Sequence, residues 1–216
     1  MKTINKTSTN AQDICLDYCQ KLLTEVNTPL IGAEFGVAYG GGVESIGKLW
    51  KGRGIIYGFD TFTGHPKQLA VDLQNFEATC MDCWYQIFPN NELSYEYQRA
   101  ELDRQGLDNV ILKKGLINKS SCRGIPYLNY ALLDLDILTS MKIGYEAVKN
   151  KIVEGGYLFF HDVIPRYHLP LLSDWFLNEV MPSALWEIIY QDESNYLVGV
   201  KKHTISKTKK EESELL

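Results

Sequence analysis

In this 216-residue sequence, four of the first five apolar runs that read as strands finish on a carboxylate. Glu34 sits near the end of Leu30–Phe35, and Asp60 follows Ile55–Phe59. Asp134 and Asp136 close the run that begins at Tyr130, and His161-Asp162 follows Tyr157–Phe160. Burying a carboxylate without a partner is costly, so this repetition argues for a ligand rather than for packing. In an open α/β sheet, ligands bind in the crevice beyond the carboxyl ends of the strands. These side chains would collect there, together with Gly115 after the third run, Val110–Lys113.

The first group suits a nucleoside. Glu34-Phe-Gly36-Val-Ala-Tyr-Gly40-Gly41-Gly42 puts glycines where a backbone loop can approach a ligand closely. Asp60, 24 residues after Gly36, can accept hydrogen bonds from ribose hydroxyls. NAD, FAD and S-adenosylmethionine share that need. The dinucleotide fingerprint GxGxxG is not met, because Ala38 holds the third position and the acid precedes the first glycine. S-adenosylmethionine carries no pyrophosphate, and its cationic amino-acid end suits nearby carboxylates. The bland alternative is a tight strand-to-helix turn without a ligand. Gly42 to Lys48 also fits GxxxxGK, but Leu49 stands where a P-loop needs Ser or Thr, so that reading is dismissed.

The second group suits a metal. Asp134, His161 and Asp162 come from neighbouring strand ends, and carboxylate oxygen with one imidazole suits Mg2+, Mn2+ or a similar divalent ion. Helix capping by the acids and a local bond to His161 is the alternative. His65, just past Asp60, faces either the site or solvent; Cys80-x-x-Cys83 lacks a second ligand pair and reads as packing thiols.

The elements that must position these groups follow from periodicity. A helix over about 12–26 presents Cys15, Tyr18, Cys19, Leu22 and Val26 on one face; another after Gly42 presents Val43, Ile46 and Trp50. A third runs over about 94–105, and Leu138, Met141, Tyr145, Val148 and Ile152 mark a fourth, which Gly155-Gly156 would stop. A last helix spans about 171–181. Two closing strands, Trp186–Tyr190 and Tyr196–Lys201, flank a short turn and must therefore be antiparallel. The expected fold is α/β: a doubly wound, Rossmann-like sheet of seven strands, mostly parallel, with one antiparallel strand near the edge.

Composition sets the class. Hydrophobic residues make up 45% and charged residues 23%, as in globular domains. The net charge is −5, and residues 1–200 hold 17 basic against 24 acidic side chains, which argues against a nucleic-acid partner. No apolar run is long enough for a membrane span. Met1–Asn10 lacks the apolar core of a signal peptide, and the odd count of five cysteines reads as free thiols, so a cytoplasmic location is expected. One domain over 1–202 is expected, with an N-terminal helical segment at 1–27, an aromatic-rich insertion or lid at 61–92, and a disordered tail at 203–216.

Taken together, these stretches resemble the macrocin-type (TylF-type) class I S-adenosylmethionine-dependent O-methyltransferases over roughly residues 28–201. Glu34-Phe-Gly36-Val-Ala-Tyr-Gly-Gly is similar to that family's ExGxxxGG loop, and Asp60-Thr61-Phe62-Thr-Gly64-His65-Pro66 to its DSFxGLP segment. Val110 to Gly115 is similar to the strand and glycine beside the adenine. Asp134-Leu-Asp136, followed by Gly155-Gly156 through His161-Asp162, is similar to DxDxYxST and GGxxxxDD. His161 stands where the family has Asp, Leu138 where it has Tyr, and His65 where it has Leu.

The resemblance implies methyl transfer from S-adenosylmethionine to a hydroxyl of a sugar or other natural product. It implies cofactor contacts from Glu34, Gly36, Gly40, Gly41, Asp60, Thr61, Gly115 and Asp134, and a divalent ion on Asp134, His161 and Asp162. Asp134 or His161 would take the proton. A phenol or catechol acceptor is compatible, as is a homodimer. The competing readings are an NAD-dependent oxidoreductase and a non-catalytic cofactor-binding protein. The former needs a Tyr-x-x-x-Lys relay; Tyr145 and Lys149 have that spacing, but Tyr145 falls on its helix's core face.

Overall fold

The computed structural model describes residues 10–64, 93–164 and 170–204. His65, Cys80 and Cys83, most of the expected insertion and most of the expected tail lie outside the described residues.

Helix α1 spans Ala11–Glu25 and opens on Asn10, whose side-chain oxygen accepts the Asp13 N–H at 2.9 Å. Strand β1 (Leu30–Phe35) is buried along nearly all its length, as a central parallel strand should be. Helix α2 (Gly41–Leu49) leads to β2 (Gly54–Asp60); α3 (Tyr95–Arg104), capped by Ser94, leads to β3 (Val110–Lys114). Then come β4 (Leu128–Leu133), α4 (Leu138–Val148) and β5 (Ile152–His161). Helix α5 (Pro170–Trp175) passes into a π-helical stretch, Phe176–Val180, before β6 (Trp186–Asp192) and β7 (Leu197–Lys202).

The seven strands lie in the order β3-β2-β1-β4-β5-β7-β6. β1 pairs in parallel with both β2 and β4, whereas β7 runs antiparallel to β5 and β6. The chain winds outward from β1 to β3 and then returns to the other side at β4. The switch point therefore lies between the ends of β1 and β4, where a crevice opens. One face of the sheet packs against α1 and α2 through Ile14, Leu22, Val43, Ile46 and Trp50; the other takes Met141, Val148, Leu172 and Trp175. The fully buried Trp50 indole N–H donates to the Cys19 carbonyl at 3.1 Å and ties α1 to α2.

Two local expectations need correction. Gly155-Gly156 does not stop α4; the helix ends at Val148, and both glycines lie inside β5. Their role is a bulge: Leu128 pairs with Ile152 but Tyr130 with Tyr157, and Gly155 adopts φ +76°. Ile152, read as the last turn of the helix, is the first residue of that strand. β4 also begins and ends two residues earlier than expected, so Asp134 and Asp136 sit in the loop beyond it, free of the sheet's pleat.

Candidate functional site

The glycine loop is built by the sheet. Gly36 N–H donates to the Phe59 carbonyl at 2.9 Å, and Asp134 N–H to the Phe35 carbonyl at 2.8 Å, so the ends of β1, β2 and β4 are laced together. A Cβ on Gly36 would lie 1.7 Å from the Asp134 carbonyl oxygen, and Gly36 has φ +91°; no other residue fits there. Gly40, at φ +79°, caps α2 after donating to the Val37 carbonyl at 2.8 Å.

Asp60 braces this loop. Its Oδ2 accepts the N–H groups of Val37 (2.8 Å) and Ala38 (3.2 Å), while Oδ1 accepts that of Phe62 at 2.8 Å. The Thr61 hydroxyl donates to the Gly64 carbonyl, closing the turn, and Gly115 N–H donates to the Asp60 carbonyl at 2.9 Å.

A cavity of about 480 Å³ opens between the β1 and β4 ends. Glu34, Gly36, Gly41, Asp134 and His161 line it, as do Tyr130, the start of α1 (Asn10, Gln12, Cys15) and the β6–β7 turn from Ser194 to Leu197. Gly40, Asp60, Thr61, Gly115 and Asp162 are not part of this lining. Glu34 is only 5% exposed, and its Oε2 has no hydrogen-bond partner. Burial, reinforced by the charges of Asp134 and Asp60, holds its carboxyl well above the usual carboxylate range. Gly42 makes room for it: a Cβ there would come within 2.3 Å of Oε2. A buried, unpaired acid in a cavity wall fits the cationic end of a ligand.

Asp134, His161 and Asp162 do converge. Each offers a ligand atom within 4.8 Å of the others. His161 Nδ1 lies 3.0 Å from Asp134 Oδ1 and 3.1 Å from Asp162 Oδ2, yet is aligned with neither for a hydrogen bond. Neighbouring ligands around an octahedral ion with bonds of about 2.1 Å lie ~3.0 Å apart, so the donor set fits a small divalent cation. Burial opposes a charge on His161, but the two acids outweigh it and lift the imidazole to about 10. Asp162 and Asp136 both adopt left-handed backbone conformations, at φ +62° and +56°. The Asp162 N–H donates to the Tyr196 carbonyl at 2.8 Å, which links the triad to the β6–β7 turn. Strain concentrated at one loop cluster is common at functional sites.

Other candidates lie apart. Tyr145 is buried beside Trp186, whose indole N–H donates to its hydroxyl at 3.0 Å, and Lys149 pairs with Glu146; neither lines the cavity. Cys15, Cys19 and Cys122 are buried free thiols; Cys15 lines the cavity and the other two do not. Motif and spacing point to neither Asn10, Gln12 and the 194–197 turn, nor to Gln98, whose amide donates to the Ala38 carbonyl. Only the Asn10-x-x-Asp13 helix start leaves a trace in the sequence.

No family model and no curated protein sequence matches the chain. Solved structures do. The calicheamicin methyltransferase CalS11 aligns with a TM-score of 0.67 at 18% identity, covering 87% of this chain and 77% of that one. The O-methyltransferase NovP aligns at 0.68 and 19%, covering 88% and 78%. An rRNA methylase from Streptococcus thermophilus aligns at 0.58 and 14%, covering 91% and 98%. At such identities the likeness speaks for architecture, and it agrees with the resemblance carried by the four sequence stretches: this chain has the Rossmann-like fold of the class I methyltransferases.

Proposed function

We propose that the chain is an S-adenosylmethionine-dependent O-methyltransferase of the macrocin type, which methylates a hydroxyl of a sugar or related small molecule beside a divalent ion, Mg2+ or Mn2+. One observation carries this reading. Asp134 and His161 of the Asp134–His161–Asp162 cluster line the same cavity as the unpaired Glu34 and the glycine loop. The fold shared with O-methyltransferases supports it.

Glu34 would hold the cofactor's ammonium group. The Gly36–Gly41 backbone would lie along the amino-acid and ribose portions, with Asp60, Thr61 and Gly115 toward the nucleoside end. When bound, the sulfonium would supply an electrophilic methyl group, and Asp134, His161 and Asp162 would hold an ion that would lower the pKa of a nearby hydroxyl. The chain's own task is orientation, because the hydroxyl oxygen must approach to about 3 Å and in line with the departing C–S bond. The β6–β7 turn and the start of α1 wall the cavity and limit water. Asp134, whose side chain is 37% exposed and lines the cavity, would take the hydroxyl proton, and His161 lies between Asp134 and Asp162.

An RNA acceptor, as for one structural neighbour, conflicts with the acidic balance of residues 1–200. Transfer of a labelled methyl group from S-adenosylmethionine to a panel of sugar and catechol hydroxyls tests the proposal. Transfer should occur, vanish in excess EDTA and return with Mg2+ or Mn2+. Full activity in EDTA removes the ion from the account, and cofactor binding without transfer to any hydroxyl favours a non-catalytic binder.

A further inference from the structure

Resting on the assignment of residues 36–42 as the cofactor loop, we propose that Gln98 is a positioning residue that braces this loop by holding Ala38 in the left-handed conformation. Ala38 has φ +46°, a region that side chains with a Cβ disfavour by about a tenfold population penalty (about 1.4 kcal/mol). In Gly36-Val-Ala38 it stands where the dinucleotide fingerprint places a second glycine, which adopts positive φ without strain. The loop therefore takes a glycine-favoured conformation at a residue that is not glycine.

The compensation is visible at both ends of residue 38. Its N–H is accepted by Asp60 Oδ2 at 3.2 Å, and its carbonyl accepts the side-chain amide of Gln98. Gln98 comes from α3, on the far side of β2 in the chain, and is only 4% exposed. Its side chain lies flat on the loop: a Cβ on Gly40 would meet Gln98 Oε1 at 3.0 Å. A buried glutamine on a helix face that otherwise buries Leu102 is an expensive way to fill space. Here it supplies the donor that a rotated Ala38 peptide would lose.

The competing explanation is a buried polar side chain that merely satisfies itself on the nearest carbonyl. The two differ in their dependence on residue 38. A glycine at this position adopts the same positive φ unaided, so the brace becomes dispensable; a packing role would be indifferent to the change. The variants are Gln98→Met, which keeps volume but removes the donor, Ala38→Gly, and the double variant.

Affinity for S-adenosylhomocysteine is measured by calorimetry. Hydrogen exchange of the ligand-free loop peptide 36–42 is followed by mass spectrometry. Gln98→Met should weaken binding about tenfold and speed loop exchange, and both effects should shrink severalfold when Ala38→Gly is already present. Equal effects with and without Ala38→Gly, or none in either case, overturn the brace. If the wild-type chain fails to bind S-adenosylhomocysteine, the functional reading falls, while the exchange cycle still decides the role of Gln98.

Discussion

Asp60 and Glu34 end adjacent strands and differ in almost every respect that matters. Asp60 has both carboxylate oxygens occupied by backbone N–H groups of Val37, Ala38 and Phe62. Glu34 is buried with an unpaired oxygen facing a cavity. The first carboxylate is hydrogen-bonded to the loop it shapes. The second carries an unmet electrostatic demand that folding alone does not relieve. The Asp134–His161–Asp162 cluster also differs from Asp60: three groups that offer ligand atoms crowd together, and the imidazole Nδ1 between the two acids is aligned with neither for a hydrogen bond. Saturation by backbone N–H groups thus separates Asp60 from Glu34, whose Oε2 is left without a hydrogen bond in the cavity wall.

The sharpest way to break this contrast is to remove a charge from the crowded cluster. Asp162→Asn should lower methyl transfer by at least about a hundredfold, the scale of losing a positioned catalytic group. It should also abolish Mn2+ binding followed by electron paramagnetic resonance, with little change in unfolding midpoint. Asp60→Ala should act first on stability. Three N–H groups lose their acceptor, so urea unfolding should show a loss of about 2 kcal/mol.

Glu34→Gln sharpens the comparison through pH. A carboxyl held above its ordinary value of about 4.5 in the fold is charged more readily when unfolded, so it costs stability as pH rises above that value. The amide carries no such cost. The variant should match the wild type near pH 4 and exceed it increasingly toward neutrality, as read from denaturant midpoints across pH. The smallest effect concerns the thiols. Burial pushes Cys15 to about 12 and Cys122 to about 11, so site-resolved alkylation of the folded chain at pH 8 should spare both.

Much of this was legible in the sequence. The apolar runs of β1, β2 and β5 and the acids after them follow from parallel-strand burial and sheet topology, and the reversed β7 follows from a turn too short for a crossover. Gly155-Gly156 misled because a glycine pair ends helices and makes bulges alike, and Ile152 continued the helical spacing into what is a strand. The loop geometry of Asp60 was legible only by position: nothing in the one-dimensional order shows that its Oδ2 is spent on N–H groups 22 and 23 residues earlier. Ala38 counted against a dinucleotide fingerprint, yet its backbone takes the glycine-like conformation through Gln98, a partner 60 residues away. Contacts of that separation, like the Tyr196 carbonyl under Asp162, leave no periodic signal.

The account stands most directly on one titration: S-adenosylhomocysteine against the wild type and Glu34→Gln, with both shown to be folded by their unfolding transitions. The account predicts saturable binding to the wild type at micromolar concentration and a loss of at least about tenfold in the variant, the scale of a charge-assisted hydrogen bond. Equal affinity in both proteins, or no binding to the wild type at millimolar concentration, would contradict it.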